Sequence, residues 1–274
     1  MNLLWAALVI AATTALAVTA MLLVRRGAPE GSRFADGDRA SGVFGVLATG
    51  FSVLLGFIVF LAFESYDQSR SGAEEEALVL SQQVETAQFL RAPAAGKLTG
   101  QLICYGRSVI ETEWPRAESG SLGDEINPWG VELFRTLQAV QPKTATEEAA
   151  YGKWLDETSD REAARIDRIH GAAGVIPAPL WLVLILISAV IFVFMLFFAD
   201  SAEGAVTQAV LMGSVAAVVS AMLLLIGFLD SPFNKGVGGV RPVAMERSLR
   251  IVDEALQAAR VTVTPPCDAL GNPT

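Results

Sequence analysis

Four stretches free of charged residues dominate the chain: Leu3–Val24, Val43–Phe63, Leu180–Ala199 and Ala205–Leu229. Each is long enough to cross a bilayer core, which takes about 20 residues. None alternates apolar and polar positions with period two, so they do not read as barrel strands. Each predicts a transmembrane helix, whose backbone satisfies itself in the hydrocarbon. The second stretch has no reason to stop at Phe63, because the first proline after it is Pro93. The pattern predicts a helix that leaves the bilayer at Glu64 and runs on towards Ala92. Within the span, Thr49, Ser52, Gly56, Phe60 and Phe63 recur at helical spacing, small or polar first and aromatic after. Such a face serves close helix packing or lines a pore with a hydrophobic constriction at the phenylalanines. The residues alone leave both open.

Between spans two and three the apolar positions follow the helical period. Ala77, Leu80, Val84, Ala87 and Leu90 form one stripe behind Glu74-Glu75-Glu76. After a break at 93–100, Leu102, Ile103, Tyr105, Val109, Ile110 and Trp114 predict a second helix ending at Pro115. Ser119 to Gly123 reads as a loop. Trp129, Leu133, Phe134 and Leu137 mark a third helix that Pro142 ends. Thr144 or Thr146 caps a fourth, with Glu147 and Glu148 in its first turn. That helix carries Tyr151, Trp154, Leu155, Ile166 and Ile169 and stops around Gly171 to Gly174. After span four, Leu229 to Pro242 is an irregular loop, and Met245 to Arg260 predicts one more amphipathic helix. A strand signal is confined to Arg260–Thr264. The expected fold class is all-α: four transmembrane helices with a helical soluble insertion between spans two and three. The expected divisions are 1–63, 64–176, 177–230 and 231–274.

Charge narrows the partners. The chain is 52% hydrophobic with a net charge of -9, and the acidic excess falls in the insertion, which excludes a phosphate-binding surface and hence nucleic acid. The expected partners are the lipid bilayer and small ions. One histidine, His170, and two cysteines are too few for a zinc site. Phosphate-loop, nucleophile-elbow and HExxH patterns are missing. No cofactor, metal or catalytic residue is expected, and the chain does not read as an enzyme. Glu111 and Glu113 diverge on a helix and read as solvated surface. Glu64, Asp67 and the Glu74–Glu76 run are solvated charges in one copy but acidic rings at a pore mouth in a ring of copies.

Arg25, Arg26, Arg33 and Arg39 predict that the Gly27–Gly42 loop faces the cytoplasm. The insertion would then be extracytoplasmic in a multi-pass protein of the inner or plasma membrane. Leu3–Val24 follows no basic segment and reads as a retained span rather than a cleaved signal. Cys104 and Cys267 fall on one side of the membrane. They form a disulfide if that side is oxidising and remain two thiols otherwise.

The segments LLGFIVFLAFESYDQSR (Leu54–Arg70), ETEWP (Glu111–Pro115) and LDSPFNKGVGGVRP (Leu229–Pro242), in this order around four spans, carry a family resemblance. The chain resembles the bestrophin-like membrane proteins, and more closely a prokaryotic family of unknown function grouped with them. The resemblance implies a homo-oligomeric, pentameric ion channel whose second span lines the pore through a hydrophobic neck. Leu55-Gly56-Phe57 is similar to the Leu-Gly-Phe of that pore helix, which makes Phe57, Phe60 and Phe63 the implied constriction. Asp230, Pro232 and Phe233 match the family's Asn/Asp-Pro-Phe after the last span. The acidic calcium-binding cluster that follows in animal members is replaced here by Asn234-Lys235-Gly236-Val237-Gly238, a departure from calcium gating of that type. Bestrophins also keep the insertion in the cytoplasm, opposite to the side that Arg25 and Arg26 predict. The implied function is a channel. The alternative is a non-conducting membrane sensor or scaffold acting through its helical insertion.

Overall fold

The proline-free run after Val43 folds as one helix, longer at its start than the hydrophobic pattern suggests. A computed structural model describes residues 3–30, 33–34, 36–121 and 126–274. Its elements are α1 (Leu3–Arg25), α2 (Gly37–Ala87), α3 (Ala94–Ser108), a π-helical turn (Val109–Glu113), α4 (Trp114–Glu118), α5 (Pro128–Gln138), α6 (Ala145–His170), α7 (Ala178–Phe197), α8 (Ala205–Leu229) and α9 (Val243–Ala258). The fold is all-helical, and no strand occurs among the described residues. Arg260–Thr264 is irregular, contrary to the strand signal: its extended run has no second strand to pair with.

α2 has 51 residues, more than twice what a bilayer core requires. It begins at Gly37 instead of Val43 because Asp36 caps it. The Asp36 carboxylate accepts the Arg39 N–H at 3.0 Å, and its carbonyl accepts the Ala40 N–H at 3.1 Å. The expected Gly27–Gly42 loop is therefore shorter; Gly31, Ser32 and Ala35 lie outside the described residues, as do Leu122 and Gly123 of the expected Ser119–Gly123 loop.

The chain divides into two compact units. The first comprises residues 1–64, 175–230 and 236–238. Among the described residues, four helices are long and apolar enough to cross a membrane: α1, α2, α7 and α8. α1 packs along α8, where Val18 lies 3.2 Å from the Cβ position of Gly213 and the Thr13 and Ser220 hydroxyls share a 2.9 Å hydrogen bond. Small residues permit that approach. α2 joins α7 and α8 through Phe51, Leu55, Ile58, Leu184, Ile191, Val219 and Ile226. At one end of this unit the loop after α1 meets the loop after α7: Arg25 donates to the carbonyls of Ser201 and Glu203. The Phe34, Phe44, Phe194 and Phe198 rings cluster there at 4.9 to 6.0 Å. Asp230 ties the start of the α7 segment to the end of α8, accepting the N–H of Val175 at 2.7 Å and Ile176 at 2.9 Å.

The second unit comprises residues 65–174, 231–235 and 239–274. The expected stripe is buried as a whole, from Ala77 through Leu80, Val84 and Ala87 to Leu90. Its core extends to Leu102, Tyr105, Trp114, Trp129, Trp154, Phe233 and Val252. Thr144 caps α6, its hydroxyl accepting the Glu147 N–H at 3.2 Å. Pro115 does not end its helix. The wider π turn, closed by the Trp114 N–H on the Val109 carbonyl, absorbs the proline's missing donor and the run continues to Glu118. α2 and α6 approach so closely that a Cβ at Gly72 would fall on the backbone of Arg168. Phe134, Leu155 and Ile166, expected in the apolar stripes, are exposed. On α6 the buried stripe is instead Ala150, Trp154, Glu157, Arg161, Ala164 and Arg168.

The tail folds back onto this unit. Cys104 and Cys267 are joined by a disulfide. Arg107 donates to the Asp268 carbonyl at 3.1 Å and the Trp129 indole to the Gly271 carbonyl at 2.7 Å. Gly271 has φ +81°, and a Cβ there would sit 2.6 Å from the Ser108 nitrogen, so only glycine fits.

Candidate functional site

The first candidate is the face of α2 that its own chain leaves bare. At about 100° per residue, Thr49, Ser52, Gly56, Phe60 and Phe63 share one side of the helix, and all are exposed. Phe51, Leu55, Ile58 and Ala62 occupy the opposite side and are buried. Gly42, Gly45, Gly50 and Gly56 have no atom within 4 Å of the Cβ each lacks. The Ser52 hydroxyl bonds back to the Ala48 carbonyl at 2.9 Å. Thr49 has no partner for its hydroxyl among the described residues. Phe57, Phe60 and Phe63 are 64%, 60% and 53% exposed. Phe57 stands beside the line of the other two, since it follows Gly56 by one position. Glu64 and Asp67 are exposed further along α2.

Asp230, Pro232 and Phe233 are brought to structural work. Asp230 holds the start of the α7 segment, as described above. The Pro232 carbonyl accepts the Val240 N–H at 2.8 Å. Phe233 is buried edge-on against Trp114, ring centres 5.5 Å apart. Trp114 in turn donates to the Val240 carbonyl.

The second unit contains an ion network built on two carboxylates, Glu76 and Glu113, that the sequence pattern places in solvent. Glu76 is completely buried, so the Glu74–Glu76 run does not present three acids to water. It stands in register with Ala73, Ala77 and Leu80 on the buried side of α2. Glu113 is buried as well, contrary to its reading as surface, whereas Glu111 is exposed as expected. Its position at the end of the π turn rotates it inward. Arg168 joins the two: its Nε and Nη2 donate to Glu76, and its Nη2 also donates to Glu113. Arg165 reaches Glu113 at 3.2 Å, Asn127 donates to it at 2.9 Å, and the Tyr105 hydroxyl donates to Glu76. The Arg168 guanidinium also lies 5.5 Å from the Trp114 ring centre.

The electrostatics of the network follow from its partners. Burial raises the carboxyl of Glu113, but Arg168 and then Arg165 outweigh it and hold the group below its ordinary value. Burial likewise opposes the charge on Arg168, and Glu76 and Glu113 more than offset it, so its guanidinium is held above its ordinary range. Burial, followed by the Glu76 carboxylate, raises Tyr105 well above the usual phenol value. It is a neutral donor. No group of three or more His, Cys, Asp and Glu side chains placed to hold a metal ion occurs among the described residues.

Comparison with known proteins gives the chain a family context. The sequence matches the Bestrophin-like domain over residues 4–245. No curated protein matches it. Among solved structures the fold is similar to a point variant of a bacterial bestrophin homolog from Klebsiella pneumoniae, with TM-score 0.67 and 12% identity, covering 89% of this chain and 98% of that one. A second variant of that homolog gives TM-score 0.62 at 12% identity, covering 89% of this chain and 99% of that one. A structure described as a membrane protein gives TM-score 0.65 at 13% identity, covering 93% and 99%.

Proposed function

The chain belongs to the Bestrophin-like family, and from that premise we propose that it is an oligomeric ion channel with α2 lining the pore. The observation that carries this reading is the bare face of α2, glycine- and hydroxyl-bearing over Gly42–Gly56 and aromatic at Phe60 and Phe63. In a ring of copies, five by the family resemblance, Thr49 and Ser52 face the axis and the phenylalanines narrow it. A neck of aromatic side chains gates by dewetting. Phe57 is assigned to the side of that neck, nearer a neighbouring copy. Glu64 and Asp67 follow as pore-mouth acids that concentrate cations, an effect that salt screens.

Reconstitution into planar bilayers tests the reading. Phe60→Ala is expected to raise the current by wetting the neck. Glu64→Gln with Asp67→Asn is expected to move the reversal potential under a salt gradient towards anion preference. A folded oligomer that stays silent through all these changes is not a channel, and the sensor or scaffold function takes its place.

The 65–174 part of the second unit is read as a soluble insertion between spans two and three, outside the cytoplasm. Two observations support that side: the Cys104–Cys267 disulfide, which needs an oxidising compartment, and the Arg25, Arg26, Arg33 and Arg39 cluster at the loop after α1. On intact cells a membrane-impermeant thiol reagent should label a cysteine placed at Lys143 and miss one placed at Glu30, in a background lacking both native cysteines. The reverse pattern would put the insertion in the cytoplasm.

A further inference from the structure

Arg161 is a buried charge of the second unit that the ion network does not absorb. It is only 1% exposed. Its Nη1 donates to the Gln83 side-chain amide oxygen, Oε1, at 2.7 Å, and its guanidinium lies 4.8 Å from the Tyr105 ring centre. Its Nε has no partner. Among the described residues no carboxylate lies within ion-pair distance of it. Glu157, one turn earlier on α6, is engaged through Oε1 by Lys153 at 3.0 Å and by the Thr86 hydroxyl at 3.0 Å, while its buried Oε2 has no hydrogen-bond partner and none of its oxygens reaches Arg161. Glu76 is held by Arg168 and Tyr105. A buried cation with an orphaned donor is costly to maintain.

Arg161 is among the residues lining a cleft of about 510 Å³ between α5 and α6, within the size range of small-molecule sites. The rim of the cleft is apolar and open. Ile126, Phe134 and Ile166 line it and are 76%, 55% and 62% exposed. A bare inorganic anion would leave those side chains in water. Glu162 also lines the cleft and disfavours a doubly charged ligand. Arg165 lines the cleft as well, but its guanidinium is engaged by Glu113 at 3.2 Å, so the Arg161 edge is the one that matches a single carboxylate.

We propose that this cleft binds a small organic monocarboxylate with an apolar, aryl or branched alkyl, body. The carboxylate pairs with Arg161 at the floor, and the body rests on Phe134, Ile126 and Ile166. The site lies wholly within the second unit and does not depend on whether the chain conducts.

The test is isothermal titration of the full chain in lipid nanodiscs with 4-phenylbutyrate, against its neutral isostere 4-phenylbutyramide. The acid is expected to bind at least about tenfold more tightly than the amide, as the loss of one charge-assisted hydrogen bond predicts. Ile166→Glu alters a solvent-facing position and should abolish binding of the acid while leaving the melting temperature unchanged. Arg161→Gln should equalise acid and amide, with folding checked by the same melt. Three results would overturn the assignment: no heat from the acid at millimolar concentration, equal affinity for acid and amide, or undiminished binding by Ile166→Glu.

Discussion

Arg168→Ala is expected to destabilise the second unit by about 3 to 5 kcal/mol, the usual consequence of removing one partner from a buried ion pair. Arg168 and Glu76 are both fully buried and Glu113 nearly so. Without the guanidinium, Glu113 keeps Arg165 and Asn127, but Glu76 retains only the Tyr105 hydroxyl among these partners. The loss is therefore concentrated on Glu76. Adding Glu76→Gln to Arg168→Ala should recover part of the stability by removing the stranded charge. The penalty should also depend on pH. In the wild type the depressed Glu113 contributes stability that is present above its ordinary value of 4.5 and is lost as pH falls through its lower folded value. In Arg168→Ala the largest opposing charge is gone and burial dominates, so protonation costs the variant little. Thermal melts between pH 4 and pH 7 should show the gap between wild type and variant narrowing on the acid side. A gap below about 1 kcal/mol, the worth of a surface pair, or one independent of pH would overturn the view of this network as a structural centre.

The parts of this fold written plainly in the sequence are those decided locally. A run of uncharged residues crosses a bilayer whatever surrounds it, and α1, α7 and α8 lie close to where their runs of hydrophobicity end. The Thr144 cap and the Ala77–Leu80–Val84–Ala87 stripe depend on neighbours three or four positions away, so they were legible too. Glu76, Glu113 and Arg168 depend on one another across elements, and each alone looks like a solvated charge. A signal was present nonetheless. Glu157, Arg161, Ala164 and Arg168 continue the helical stripe begun by Ala150 and Trp154, with alanine where a solvated face has no need of one. Glu76 stands equally in line with Ala73 and Leu80. Ile166 lies off the α6 line, and Phe134 lies off the Trp129–Leu133–Leu137 line of α5, so hydrophobicity alone misplaces both. The bare face of α2 was legible as a periodicity. Its exposure came from the fold, because it depends on which side α7 and α8 cover.

Removing the Cys104–Cys267 crosslink by Cys104→Ser with Cys267→Ser is expected to cost about 2 to 5 kcal/mol of stability in the second unit. The bond closes a segment of 163 residues, long enough for the chain-entropy term alone to approach about 5 kcal/mol in a fully flexible chain. Two of the apolar helices, α7 and α8, lie inside that segment. Helices that remain inserted in a bilayer when the rest unfolds reduce the freedom the crosslink removes, which favours the lower part of the range. The tail should not be lost at once, since Trp129 holds the Gly271 carbonyl, Arg107 holds that of Asp268, and Gly271 packs on the Ser108 backbone. The expected sign is a lower melting temperature together with faster hydrogen exchange over 262–274, and little change elsewhere at low temperature. Cys104 is fully buried, so reductant should reproduce the variant only under conditions that open the unit. Mass spectrometry of alkylated, unreduced protein supplies the direct check. Two alkylated cysteines in native protein would remove the crosslink, leave the tail held by packing and hydrogen bonds, and withdraw the redox support for an extracytoplasmic insertion.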